Sequence, residues 1–167
     1  MTRYNVVNFI REYAVLILIV LLMIILTFSS DAFLSPRNLL NILNQNAPLA
    51  IIAAALTLCI IAGGFDLSTA SIFGVASCAA AWIAVNIDPL LGLALAPIIG
   101  IILGYTNGVL ITSLGVHSFL ATIATSLIYR GIAILITGGF LIPVRMPEFI
   151  WLGRGKIYGI HFTIFIW

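Results

Sequence analysis

Charged residues are scarce in this sequence. Its 167 residues carry 7 basic and 5 acidic side chains, or 7% of the chain, whereas an ordinary globular domain has roughly 25%. Because so few charges cannot coat a water-soluble fold, the composition excludes a soluble enzyme and a disordered chain. The count of 2 cysteines excludes a disulfide-rich secreted module. A net charge of +2 without a Lys/Arg cluster predicts that nucleic acid is not a partner.

Motifs for catalysis, nucleotide binding and metal binding are also missing. The sequence contains no Walker A string, no G-x-G-x-x-G fingerprint and no H-E-x-x-H pair. His117 lies beside Ser118, but adjacent residues in a turn point apart and there is no G-x-S-x-G elbow, which argues against a hydrolase. Cys59 and Cys78 lie in apolar segments and are predicted to be core residues. We expect no catalytic residue, no metal site and no cofactor.

Hydrophobic residues dominate what is present. They make up 63% of the chain, and the mean hydropathy is +1.27. Long uncharged runs between the few charges are typical of an all-α polytopic membrane protein. The predicted spans are residues 13–30, 47–64, 67–87, 90–112 and 119–136. A polar, glycine-rich loop with Arg145, Glu148, Arg154 and Lys156 follows, and the start of a sixth helix is predicted at Ile157.

A helix start is predicted in the polar stretch before the second span. Ser35 supplies a capping hydroxyl, and Pro36 fits the first helical position. Residues 38–45 then alternate polar and apolar side chains with a helical period. Two interpretations are open: a short amphipathic helix at the membrane interface, or an extension of the second span.

Small residues form a row on the fourth predicted span. Gly100, Gly104 and Gly108 recur every four residues, which places them on one face and lets another backbone approach closely. Shorter rows of small residues recur on the second and third spans. We predict that the three glycines serve helix packing in a tight bundle.

An acidic residue between two apolar stretches predicts a break in the helical structure. Gly63 and Gly64 let the chain turn without a Cβ clash, and Asp66 can then accept from the backbone N–H of Ser68 or Thr69. A broken or re-entrant element is therefore expected between Gly63 and Asp66. Asp66 either only caps the next helix or also has a direct role in a permeation path.

Arg130 falls within the fifth apolar stretch, where a guanidinium must face protein, water or headgroups. It can pair with Asp66, bond free carbonyls of a neighbouring helix, or extend towards the membrane surface. We predict a buried structural contact rather than contact with a substrate.

An ordered set of segments resembles the permease subunits of bacterial ABC importers for ribose, xylose and related sugars. The segments are 38–45 (NLLNILNQ), 63–68 (GGFDLS), 104–110 (GYTNGVL), 119–125 (FLATIAT), 128–131 (IYRG) and 137–139 (TGG). Their order and spacing cover nearly the whole chain. Two small departures are His117, where the family commonly has proline, and Phe65, where it usually has isoleucine.

The resemblance implies a role, a location and partners. It implies a multi-pass protein of the bacterial inner membrane that pairs with a second permease subunit. A cytoplasmic ABC ATPase and an extracytoplasmic solute-binding protein complete the implied importer. Family members are about twice as long, so residues 1–167 are expected to form a single permease domain that is truncated at its C-terminal end.

Orientation in the membrane is left open by the sequence. The positive-inside rule applied to five simple crossings places the N-terminus outside. The resemblance implies a cytoplasmic N-terminus instead, and a re-entrant segment near Asp66 would reconcile the two.

Neutral sugars need hydroxyl and amide partners more than charges. The candidate lining residues are Ser68, Ser71, Asn107, Thr122 and Thr125, and each could equally form a bond between helices. Two other functions stay open: an inactive fragment, and an ATPase-independent channel or carrier with Asp66 as its ion site.

Overall fold

Five long helices dominate the computed structural model, which describes residues 6–157 and 160–161. They are α1 (Val6–Ser29), α2 (Pro36–Ile61), α3 (Thr69–Asn86), α4 (Pro89–Thr112) and α5 (Ser118–Thr137). All five are long and apolar enough to cross a membrane, which confirms the five predicted spans. A short helix, α6 (Pro147–Arg154), and two strands, β1 (Lys156–Ile157) and β2 (Ile160–His161), follow.

The first of two compact units, residues 1–45, contains α1 and the start of α2. The Ser35 hydroxyl oxygen accepts from the backbone N–H of Asn38 at 3.3 Å, and Pro36 is the first helical residue. This confirms the predicted helix start. Because α2 continues without interruption to Ile61, residues 38–45 are an extension of the second span rather than a separate interfacial helix.

Apolar side chains cover the outside of these helices. On α1, Val15 is 70% exposed and Phe28 is 89% exposed, and leucines and isoleucines between them are about half exposed. Surfaces this apolar are rare on water-soluble monomers. Lipid contact explains them, because hydrocarbon side chains need no shielding from acyl chains.

The second unit, residues 46–167, is organised around α3, which packs against both α4 and α5. Helix α4 runs antiparallel to α3: Gly92 near its start lies against Ala80 and Ala84, and Asn107 near its end lies against Ser68. A Cβ added at Gly92 would lie 2.5 Å from the carbonyl oxygen of Ala80. The closest approach of the two backbones therefore depends on a residue without a side chain.

The predicted glycine row does not form that contact. A Cβ added at Gly100, Gly104 or Gly108 would meet no atom within 4 Å in the described part of the chain. An α-helix advances about 100° per residue, so positions four apart drift by about 40° each time. Gly108 thus lies about 160° around the helix from Gly92. The row therefore turns away from the face of α4 that carries Gly92, and its predicted role in helix packing stays a prediction.

The segment after α5 is more ordered than the predicted loop. Residues 147–154 form α6, with Pro147 in its first turn. Where the sequence predicts the start of a sixth helix, Lys156 pairs with His161 and Ile157 with Ile160 in an antiparallel ladder. The rest of that predicted segment, residues 158–159 and 162–167, lies outside the described residues. Short apolar runs fit both helix and strand, so the pattern there could not decide between them.

Candidate functional site

The connection from α2 to α3 begins with a helix stop built on two glycines. Gly63 has φ +80°, its N–H donates to the Ile60 carbonyl at 2.9 Å, and the Gly64 N–H donates to the Cys59 carbonyl at 2.9 Å. This pair of bonds is a Schellman motif, which needs a left-handed residue at the position of Gly63. The predicted interruption between Gly63 and Asp66 is confirmed, since no helix covers residues 62–68.

Asp66 then organises the start of α3. Its Oδ1 accepts from the backbone N–H of Ser68 at 2.7 Å and from the Ser68 hydroxyl at 2.6 Å. Its Oδ2 accepts from the Thr69 hydroxyl at 3.0 Å. The predicted capping role of Asp66 is confirmed by the bond to the Ser68 N–H.

Asn107 on α4 joins this group from the neighbouring helix. Its Nδ2 donates to the Ser68 hydroxyl oxygen at 2.6 Å, and the Ser68 hydroxyl in turn donates to Asp66. Ser68 is 0% exposed and Asn107 is 4% exposed. The other amide atom, Asn107 Oδ1, is buried and has no hydrogen-bond partner among the residues that the structure describes. A buried acceptor without a donor costs about 1–3 kcal/mol, so this atom needs a functional or structural reason.

Helix α5 supplies a second set of hydroxyls beside the same connection. The backbone N–H of Phe65 donates to Ser118 Oγ at 3.2 Å, and Thr122 Oγ1 donates to the Phe65 carbonyl at 3.2 Å. Further along, the hydroxyls of Ser71 and Ser126 lie 2.7 Å apart. Phe65 contacts the start of α5, and Ser71, further along the chain, contacts Ser126, further along α5. Helices α3 and α5 therefore run parallel. Their first turns therefore meet at one end of the second unit.

Six of the seven predicted site residues thus separate into three groups. Asp66, Ser68 and Asn107 form one network, which we call the Asp66 network, and Thr122 lies next to it through Phe65. The Ser71 hydroxyl forms a hydrogen bond with Ser126 of α5, which is the bond between helices that the sequence analysis gave as the alternative to lining a path. Thr125 is buried and donates to the carbonyl of Ala121 on its own helix at 3.0 Å.

Arg130 lies apart from this network. It is exposed, which differs from the buried contact expected from the sequence. Arg130 follows Thr122 by eight residues, about 12 Å along the axis of α5. That separation places it beyond the reach of the Asp66 carboxylate, which explains why the two do not pair.

Three contacts made by α5 were missed by the sequence analysis. Ser118, Ser126 and Tyr129 all bond another segment, and the Tyr129 hydroxyl donates to the Leu103 carbonyl of α4 at 3.0 Å. Together with Thr122, these residues recur every three or four positions along α5, at 118, 122, 126 and 129. This helical spacing could have indicated that they share one polar face.

The chemistry available at the site is that of neutral hydrogen bonding around one carboxylate. No group of three or more His, Cys, Asp or Glu that could hold a metal ion occurs among the described residues. The side chains offer hydroxyls, one amide and one carboxylate whose two oxygens already accept three bonds. This arrangement suits a small polar solute that carries hydroxyl groups.

Removing the Asp66 side chain is expected to destabilise the fold more than removing Asp88. Asp66→Ala loses three accepted bonds, whereas Asp88→Ala loses the bond from the Leu91 N–H at 2.8 Å. Loss of a capping side chain costs about 0.5–2 kcal/mol, and we expect Asp66→Ala at the upper end. Unfolding in mixed micelles followed by circular dichroism measures both. Equal losses in the two variants would contradict the capping network.

Comparison with known proteins assigns the chain to a transporter family. The family model described as "Branched-chain amino acid transport system / permease component" matches residues 38–156. The chain belongs to this permease family. The match includes all of α2 except its first two residues, all of α3, α4 and α5, and every residue of the Asp66 network.

Several relatives are named as sugar permeases. The ribose import permease protein RbsC of Escherichia coli (strain K12) is 31% identical over 169 residues, covering 98% of this chain and 53% of the relative. RbsC of Bacillus subtilis (strain 168) is 38% identical over 143 residues, covering 84% and 44%. The xylose transport system permease protein XylH of Escherichia coli (strain K12) is 33% identical, covering 77% and 34%. The chain spans about half the length of the curated relatives it matches. No solved structure matches it.

Proposed function

We propose that this permease chain forms part of the translocation path of an ABC importer for a sugar or a similar small polar solute. The observation that carries the proposal is Asn107 Oδ1, a buried amide oxygen that has no donor among the described residues and lies beside the buried hydroxyl of Ser68. A sugar hydroxyl is a donor of the right chemistry for that atom. The Asp66 network holds the amide in place, because Ser68 Oγ accepts from Nδ2 and leaves Oδ1 free for a solute.

The choice of sugar over other solutes rests on the relatives and on the charges at the site. The relatives described above are named for ribose and xylose. A branched-chain amino acid, the solute in the family description, carries both an ammonium and a carboxylate group. The network offers one carboxylate that is already bonded and no cation, so it fits a neutral polyol better.

The proposal includes partners and a location for the complete protein. A second permease subunit would form the other half of the path in the bacterial inner membrane. A cytoplasmic ABC ATPase would drive alternation between the two open sides, and an extracytoplasmic solute-binding protein would deliver the solute. The chain's own role is to line the path, with Asp66 as a structural residue and with residues 1–167 contributing to one permease domain.

Uptake by the complete transporter tests this function. The complete permease is expressed with its ATPase and binding protein in cells without their own ribose and xylose importers. We expect saturable uptake of a labelled pentose, and loss of that uptake when the ATPase cannot hydrolyse ATP. Uptake of leucine without uptake of any sugar would overturn the proposed solute. Uptake that survives the inactive ATPase would overturn the importer mechanism.

A further inference from the structure

A groove lies between α3 and α5, well away from the Asp66 network. Its volume is about 620 Å³. The apolar part of its wall comes from Ala81, Ala133, Ile134, Phe140, Leu141 and Ile142. Arg130 lines the same groove and is its single charged residue, and hydroxyls of Ser77 and Thr137 lie along it.

Arg130 has no partner in the part of the chain that the structure describes. Its side chain is exposed and forms no hydrogen bond or ion pair there. It precedes Thr137, the last residue of α5, by seven residues, or about 10 Å of helix. An arginine at that depth can extend its guanidinium to the headgroup region while its stem stays in contact with apolar surface.

We propose that this groove binds an anionic phospholipid, with the phosphate on Arg130 and an acyl chain along the apolar wall. The charge of the groove selects the headgroup, because a guanidinium binds a phosphate through two parallel hydrogen bonds. The apolar wall selects an amphiphile over a free anion. Basic pockets between membrane-spanning helices are known positions for anionic lipids.

Native mass spectrometry of the purified protein with bound lipid tests the assignment. The protein is equilibrated with equal amounts of phosphatidylglycerol and phosphatidylethanolamine before measurement. We expect the wild type to retain phosphatidylglycerol preferentially. One basic residue near a membrane surface contributes enough attraction for about a fivefold preference, so Arg130→Gln should lower the ratio of the two lipids about fivefold.

Matched variants separate a built site from general surface charge. Arg130→Lys should keep most of the preference, since it keeps the charge but not the two-bond geometry. Arg37→Gln removes an exposed arginine at the start of α2, outside the groove, and should leave the ratio unchanged. Ala133→Trp fills the groove and should reduce the retention of lipid while Arg130 is intact.

Four outcomes would overturn the proposal. The first is an unchanged lipid ratio in Arg130→Gln with native circular dichroism. The second is an equal loss in Arg37→Gln, which indicates diffuse charge. The third is displacement of the lipid by inorganic phosphate alone, which indicates a simple anion site. The fourth is a change in the oligomeric mass of Arg130→Gln without a change in lipid, which indicates that a second protein copy covers the groove.

Discussion

Replacing Gly92 with alanine is expected to separate α3 from α4 and to destabilise the second unit by about 1–3 kcal/mol. The added Cβ would lie 2.5 Å from the Ala80 carbonyl oxygen and 3.1 Å from the Ala84 backbone nitrogen. Both neighbours are backbone atoms of a helix, so neither can rotate away and the helices must move apart. The movement also pulls Asn107 away from Ser68, because those residues join the same two helices.

The matched control for this prediction is Gly104→Ala on the same helix. An added Cβ at Gly104 meets no atom within 4 Å. Alanine favours helix over glycine by about 1 kcal/mol, so this variant should be unchanged or slightly more stable. Unfolding in mixed micelles measures both variants. If Gly104→Ala proves the more damaging, the predicted glycine row contacts another chain, and the contact seen at Gly92 is not the dominant one.

Replacing Asn107 with leucine is expected to lower solute uptake about tenfold without loss of stability. Leucine has the same branching, but methyl groups replace the two polar atoms of the amide. The variant loses one hydrogen bond to Ser68 and also removes the unpartnered Oδ1. Bonds between membrane helices contribute about 1 kcal/mol and a buried unpaired acceptor costs about as much, so the two changes in stability offset each other.

Transport responds differently, because the solute loses its acceptor. Loss of a hydrogen bond to a buried polar group weakens binding by about 1–3 kcal/mol, and about tenfold corresponds to the lower half of that range. The control is Thr112→Val, which removes an exposed hydroxyl bonded to the Gly108 carbonyl of its own helix. Initial rates of pentose uptake are compared with unfolding curves. Normal uptake by Asn107→Leu would show that Oδ1 serves only a trapped water or nothing.

The local features of this protein were readable from neighbouring residues. The Gly63-Gly64 pair predicted the helix stop, and Asp66 predicted the cap, because both depend on bonds within about five residues. Ser35 and Pro36 likewise predicted the start of α2. The extension of α2 through residues 38–45 was one of two open interpretations, since an amphipathic stretch fits an interface and a helix end equally well.

Contacts between helices were harder to predict. Gly92 makes the close approach to α3, whereas the described residues leave space beside Gly100, Gly104 and Gly108, whose packing role stays a prediction. We predicted a buried contact for Arg130, but about 12 Å of helix separates it from the Asp66 network. Residue spacing gives positions along and around one helix, but which face of a neighbouring helix lies there is decided by tertiary packing.

The sequence by itself determined the membrane as solvent and the five crossing helices, since hydrophobic length acts within each segment. Tertiary structure alone decided that Asn107 meets Ser68, that its Oδ1 has no donor in the described part of the chain and that Arg130 opens onto a groove. The reason is that lipid chains are as apolar as the side chains, so hydrophobicity does not favour one face of a membrane helix over another. The packing of whole faces therefore decides how each helix is rotated and which helix it contacts.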